Sequence, residues 1–139
     1  MRFFQPPVTP TPLHFKLTGQ TVIVTGPTAE QRGSASKHAQ LMGLGCHTII
    51  LACRDVAKGF RTRSTLLSEY ATRAATHGCP SVKVLKLDLG SFDSVLSFAS
   101  QVKSDIAVVD ILILNAGVGF PKDFHSTPDI YAPFTAAVD

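Results

Sequence analysis

Two kinds of apolar patterning alternate along this chain. Short, largely apolar runs recur at 21–25, 48–53, 82–87 (broken by Lys83 and Lys86) and 111–114 after Asp110. Between them lie longer stretches in which apolar residues fall three or four apart. Consecutive apolar positions suit strands buried on both faces of a sheet, and the wider spacing suits helices laid against it. The first run, Thr21-Val22-Ile23-Val24-Thr25, stops at Gly26-Pro27, a turn signal. A helix is expected over 34–44, with Ala35, His38, Ala39 and Met42 on one side and Gly45 closing it. After Thr48-Ile49-Ile50-Leu51-Ala52-Cys53, the pair Arg54-Asp55 leads into a helix expected over 56–76. Its apolar face is read as Phe60, Leu67, Ala71 and Ala74, despite Gly59, and Gly78-Cys79-Pro80 stops it. The third strand runs into Asp88-Leu89. Ser91 then reads as an N-cap and Asp93 sits where the helix dipole favours an anion. Phe92, Val95, Phe98, Ala99 and Val102 form the stripe of that helix, and the fourth strand runs into Asn115-Ala116-Gly117.

Strand and helix in strict alternation specify parallel strands joined by right-handed crossovers. The expected class is α/β, a doubly wound parallel sheet with strand order 3-2-1-4. Pro6, Pro7, Pro10 and Pro12 make residues 1–17 an extended lead-in. Residues 18–118 form the α/β domain, and 119–139, with Pro121, Pro128 and Pro133, read as a loop-rich tail.

Composition adds exclusions. The 139 residues are 45% hydrophobic and 17% charged, enough to bury one core and too few for two domains. Thirteen Lys and Arg against ten Asp and Glu give a net charge of +3, with the cations scattered, so no nucleic-acid partner is expected. Cys46, Cys53 and Cys79 form no CxxC pair and leave an odd count, which argues against a disulfide framework and fits a reducing compartment. His14, His38, His47, His77 and His125 show no metal-binding spacing, so no metal is expected. No window approaches the roughly 18 apolar residues of a membrane span, and the N-terminus has no apolar leader segment. A soluble, cytoplasmic protein without a membrane partner is the expectation.

In a doubly wound sheet, ligands bind beyond the carboxyl ends of the strands, near the switch point between the first and fourth. Four segments follow strands here: Thr25-Gly26, Arg54-Asp55, Asp88-Leu89 and Asn115-Ala116-Gly117. Taken together and in this order, they resemble the short-chain dehydrogenase/reductase family over about residues 18–131. The resemblance implies a Rossmann-type fold, present in part and lacking strands five to seven, and a nicotinamide dinucleotide cofactor. In the family the first loop reads T-G-x-x-x-G-x-G, its glycines letting the backbone approach a pyrophosphate at a helix N-terminus. Here Gly26 stands, Glu30 and Arg32 occupy the spacings of the other two glycines, and Gly33 comes one step late. A carboxylate there opposes a phosphate by about 1 kcal/mol at 4 Å even in bulk water, which Arg32 would offset. The Lys-Ser/Thr pair of a Walker A loop is missing. Arg54 falls where an acidic residue would bind the ribose 2′-hydroxyl of NAD, which suits the 2′-phosphate of NADP instead. The alternative for Arg54-Asp55 is a plain solvated strand end. Asp88 would lie beside the adenine, with Leu89 contributing its backbone, and a helix-cap role for Asp88 is compatible with that. Asn115 and Gly117 would steady the central sheet and pass close to the nicotinamide ribose, the alternative being an ordinary turn.

The family's hydride chemistry uses a Tyr-x-x-x-Lys pair with a Ser and an Asn. The lysine lowers the tyrosine pKa towards working pH. Tyr70 and Tyr131 are followed four residues later by Ala74 and Thr135, so no catalytic residue is assigned. The expectation is a truncated NADP-dependent oxidoreductase, serving a biosynthetic or secondary-metabolite pathway by descent and inactive alone. The alternative is a non-catalytic half-domain that binds nucleotide or docks a partner. Strand four would present an open apolar edge to a second copy or a partner chain, and the isolated chain is expected to be poorly soluble. A sharp, reversible melt of a monomer at micromolar concentration would overturn that expectation.

Overall fold

A computed structural model describes residues 16–27, 40–72 and 80–117. Four strands form one parallel sheet: β1 (Thr21–Thr25), β2 (Thr48–Cys53), β3 (Ser81–Lys86) and β4 (Ile111–Ile113), in the order β3-β2-β1-β4. The expected strand order is therefore observed. Thr21 pairs with Thr48, Thr48 with Ser81, and Val22 with Ile111, so the strands start together and end together. Asp110 fixes the entry of β4: its Oδ2 accepts the Thr21 N–H at 2.7 Å while its own N–H donates to the Thr21 carbonyl at 3.0 Å. Every residue of β2 is buried, as a central strand covered on both faces requires.

The two faces carry separate apolar clusters. One holds Val22, Val24, Ile49, Leu51 and Val82 with Met42, Leu66 and Tyr70. The other holds Ile23, Ile50, Ala52 and Leu87, against which Val95, Phe98, Val102 and Ile106 pack. Successive side chains of a strand point to opposite faces, which produces this division. Helix α1 (Val56–Thr72) lies against β2 and β3 on the first face. Helix α2 (Phe92–Asp105) covers part of the second, and none of its residues is fully buried. Residues 40–43 are helical, Gly45 follows with a φ of +82°, and Leu17 donates to the Leu44 carbonyl at 2.8 Å. The remainder of the helix expected over 34–44, and residues 73–76 of the one expected over 56–76, lie outside the described residues.

Both helix faces differ from the sequence reading. The buried side of α1 is Gly59, Thr62, Leu66 and Tyr70, whereas Phe60 is 49% exposed and Ala71 is exposed. Of the expected face, Leu67 is half-buried and packs against the cluster, and Ala74 lies outside the described residues. The shift follows from close packing. A Cβ on Gly59 would stand 2.5 Å from Cys53 Sγ and 2.6 Å from Val84 Cγ1, so α1 approaches the sheet at a distance only glycine permits. Thr62 enters the core because its Oγ1 donates to the Lys58 carbonyl at 3.1 Å, which removes the cost of burying a hydroxyl. On α2 the stripe is Val95, Phe98 and Val102, while Phe92 and Ala99 face outward. Ser91 caps α2 as expected, accepting the Ser94 N–H at 3.4 Å, and Asp93 lies in the first turn.

Gly59→Ala isolates the close approach of α1. Helix propensity alone would favour alanine by about 1 kcal/mol, but overpacking of this kind costs about 1–3 kcal/mol. We expect a net loss of stability, read as a lower midpoint in urea at unchanged slope. A raised midpoint would contradict the packing of α1 against Cys53 and Val84.

Candidate functional site

Because all four strands run in parallel, their carboxyl ends open on one edge of the sheet. Gly26, Arg54, Asp88, Leu89, Asn115 and Gly117 all follow strand ends on that edge. Gly33, with Glu30 and Arg32, lies outside the described residues.

The tightest construction joins the end of β1 to the segment after β4. Thr25 is 3% exposed, and its hydroxyl accepts the Asn115 N–H and the Ala116 N–H, each at 3.1 Å. It also donates to the Ile113 carbonyl at 3.5 Å. A hydroxyl has one donor and two acceptor sites, so all three are used. Asn115 adds a return contact, its Nδ2 donating to the Gly26 carbonyl at 3.3 Å. Gly26 has a φ of +62°, and a Cβ there would meet Ala116 Cα at 2.7 Å and Ala116 Cβ at 2.8 Å. Glycine at 26 is thus demanded by the chain itself, through both conformation and contact. The sequence supplied the residues of this junction but not the partner of Gly26. A Cβ on Gly117 would meet nothing within 4 Å, so internal packing places no such demand there.

Past β2, Arg54 and Asp55 are both exposed. Asp55 is the N-cap of α1, a role the sequence reading did not assign. Its Oδ1 accepts the Ala57 N–H at 2.9 Å and the Lys58 N–H at 3.1 Å. Those donors have no partner within the helix, so the carboxylate satisfies two groups at once. The Lys58 hydrogen bond foremost, then the Ala57 bond and the charges of Lys58 and Arg61, hold the Asp55 carboxyl below its ordinary value of 3.8. A depressed carboxyl stabilises the folded chain above that ordinary value and loses the effect as pH falls through the lowered one. The cap is therefore fully charged at neutral pH. Beneath it, burial first and the Asp55 charge second push the Cys53 thiol up, and burial pushes Cys46 up to about 11. Both cysteines stay protonated thiols at neutral pH and behave as core residues.

Past β3, Leu87 extends the ladder by donating to the Cys53 carbonyl at 2.9 Å. Asp88 closes a turn, its Oδ1 accepting the Gly90 N–H at 2.9 Å while its N–H donates to Ser94 Oγ at 2.9 Å. Leu89 packs against the cluster under α2. Tyr70, one of two tyrosines in the chain, is 7% exposed within the other cluster and serves the core. Among the described residues no group of histidine, cysteine, aspartate and glutamate could hold a metal ion. No helix among them is long and apolar enough to cross a membrane.

Thr25→Val keeps the shape of the side chain and removes the hydroxyl. The Asn115 N–H keeps the Ile113 carbonyl at 3.1 Å as a second acceptor, whereas the part-buried Ala116 N–H loses the acceptor it has in Thr25. An unsatisfied buried donor costs about 1–3 kcal/mol, and we expect a loss at or below the low end of that range by chemical denaturation. Faster hydrogen exchange, foremost at Ala116, should accompany it, and Thr25→Ser should restore both stability and exchange. Unchanged exchange in the valine variant would show that the hydroxyl does not hold this segment.

No family model matches the chain, but individual proteins do. The short chain dehydrogenase macD of Penicillium terrestre is 42% identical over 123 residues, covering 88% of this chain and 36% of the relative. The short chain dehydrogenase yanD of Aspergillus niger is 41% identical over 129 residues, covering 92% of this chain and 38% of the relative. Among solved structures, menthone neomenthol reductase from Mentha piperita superposes with a TM-score of 0.58 at 29% identity, over 73% of this chain and 32% of that one. The chain thus spans under two-fifths of the length of the curated relatives it matches. With the strand order 3-2-1-4 and the four strand-end segments in place, the chain belongs to the short-chain dehydrogenase/reductase family, whose fold it shares in part.

Proposed function

We propose that this chain is the nucleotide-binding part of an NADP-dependent oxidoreductase and does not turn over substrate by itself. The observation that carries the reading is the convergence of Gly26, Arg54, Asp88 and Asn115–Gly117 on one edge, at the switch point between β1 and β4. The geometry suits a dinucleotide. The junction of Thr25, Gly26, Asn115 and Ala116 closes the sheet beneath the edge, and among the described residues nothing lies within 4 Å of a Cβ built on Gly117. Arg54 stands exposed past β2, where its guanidinium would pair with a 2′-phosphate in preference to the bare ribose of NAD. Asp88 and the Leu89 backbone would flank the adenine, Asn115 and Gly117 the nicotinamide ribose, and Gly33 the pyrophosphate. A bound nicotinamide supplies the hydride. This chain's own residues bind and orient, since neither tyrosine is followed by the lysine that would tune it as a general acid.

A second reading has one observation in its favour. On β4, Leu112 is 55% exposed and Leu114 just beyond it 77%. Leu112 pairs with the buried Ile23 and lies on the same face, so among the described residues nothing covers this side of the sheet at its edge. A second copy or a partner chain that covers β4 would make the chain a docking half-domain.

Calorimetry with NADP and NAD tests the first reading. We expect NADP to bind at least tenfold more tightly than NAD, and Arg54→Ala to remove most of that difference with little effect on NAD. A tenfold difference corresponds to about 1.4 kcal/mol, within the range of a charge-assisted contact. No binding of either nucleotide at millimolar concentration would overturn the reading. NADPH consumption with carbonyl substrates by the purified chain would overturn the claim of inactivity.

A further inference from the structure

The amino ends of the strands form the edge opposite the nucleotide edge, about 17 Å away by the rise of a five-residue strand such as β1. A cleft of about 480 Å³ opens there beside the C-terminus of α2, lined by Thr21, Thr48, Lys83, Asp105, Val108 and Asp110 among others. That volume falls within the range of small-molecule sites, about 300–1,000 Å³. We propose that this cleft is a second ligand site and that it takes a small aliphatic diamine, with one ammonium group on Asp105 and the other on Asp110. The site is independent of the nucleotide edge, which lies at the other end of the same strands.

Thr48 opens β2 and is 8% exposed, yet its hydroxyl has no hydrogen-bond partner among the described residues. An unpaired buried hydroxyl is costly, and this residue forms part of the cleft wall, where a ligand ammonium would donate to it. Thr21 lies beside it in the same row of the sheet. Asp105 is the last residue of α2, where the free carbonyls and the negative end of the helix dipole oppose an anion. The stability of α2 therefore does not account for a carboxylate at 105, whereas a cation in the cleft would be drawn by both the carboxylate and the helix end. Asp110 gives Oδ2 to the Thr21 N–H at 2.7 Å, and its Oδ1 remains for an external donor.

Neither carboxylate forms an ion pair with Lys83, which lines the same cleft, or with any other described residue. Asp105 and Asp110 against Lys83 make two negative charges to one positive, or −1, within a chain whose net charge is +3. Between the two acids in sequence, Ala107 and Val108 also line the cleft, and Val108 is 62% exposed. An apolar step between two carboxylates matches an aliphatic linker between two ammonium groups. A metal ion fits less well, since it needs a larger set of converging ligands and no such set exists among the described residues.

Putrescine tests the site in the full chain, with butanediol, succinate and γ-aminobutyrate as its uncharged, dianionic and zwitterionic analogues. Amide signals would be followed by NMR through each titration, which reads the dissociation constant and the place of binding together. We expect saturable binding of putrescine at millimolar concentration, with shifts centred on Thr48, Asp105 and Asp110. Butanediol and succinate should bind about tenfold more weakly or not at all. Asp105→Asn and Asp110→Asn each remove one charge, and asparagine at 110 still offers an oxygen to the Thr21 N–H. Either change should weaken putrescine about threefold or more, whereas Lys83→Gln should tighten it about twofold. Thr48→Val keeps the shape and removes the hydroxyl. It should weaken putrescine about twofold without lowering the urea midpoint, because that hydroxyl has no partner in the fold to lose. No saturation at tens of millimolar putrescine would overturn the proposal, as would shifts centred on the carboxyl ends of the strands or an affinity unchanged in both asparagine variants. Tighter binding of γ-aminobutyrate than of putrescine would overturn it too, by showing Lys83 holding a carboxylate. A lowered midpoint in the Thr48→Val variant would assign the hydroxyl to the fold and remove it from the site.

Discussion

The hydroxyl of Thr25 is the group on which the rest of the edge depends. The ladder between β1 and β4 spans only three residue pairs, and without further support the segment after β4 would be held by little else. Thr25 supplies that support with a single buried oxygen, accepting two backbone N–H groups and donating to a carbonyl. Because Thr25 also ends β1, the turn at Gly26 and the turn at Asn115 are fixed relative to each other before any ligand is considered. The close contact of Gly26 with Ala116 follows from that arrangement, since two backbones drawn together leave no room for a Cβ. The constraint begins in the sequence as a β-branched hydroxyl at a strand end and becomes the alignment of two loops.

The strands can be read from the sequence because parallel strands covered on both faces must be apolar at consecutive positions. That run is hard to mistake at 21–25 or 48–53. The helix faces are less legible for a specific reason. Counting apolar side chains assigns Phe60 and Ala71 to the core and overlooks Gly59 and Thr62, yet the tight seat of α1 selects small residues. A hydroxyl that bonds back to its own helix, as Thr62 does to Lys58, is no longer polar in the sense that pattern counting assumes. On α2 the same counting places Phe92 and Ala99 inward, although the apolar stripe is narrower and, among the described residues, the second face of the sheet is only partly covered.

At the edge, the sequence locates the residues and leaves their duties open. Asp88 suits either a ligand contact or a turn, and its Oδ1 is engaged with the Gly90 N–H. Asp55 stands out in the sequence only as a neighbour of Arg54, whereas Ser91 reads directly as a cap. The difference lies in the first turn after each residue. Ser91 precedes a helix with an acidic first turn, a familiar start signal, but α1 has no acid in its first turn and shows the signal weakly. Capping by Asp55 compensates for that lack, since its carboxylate brings the negative charge that the helix N-terminus favours.

A common principle then connects the two acids. Asp55 and Asp88 follow adjacent strands, and each commits an oxygen to backbone N–H groups that the local turn would otherwise leave unsatisfied. Unsatisfied backbone donors are costly, and a carboxylate bound to them is held in place as firmly as the turn itself. The negative charge at this edge is thereby fixed inside the architecture, close to positive helix or turn dipoles that partly offset it. The cations of residues 54–61 and Lys86 sit instead on long side chains. The positive charge near the end of β2 is thus carried by side chains, because the Ala57 and Lys58 N–H groups at the start of α1 are already bound to Asp55. That division of charge is a property of the fold's own capping as much as of any single residue.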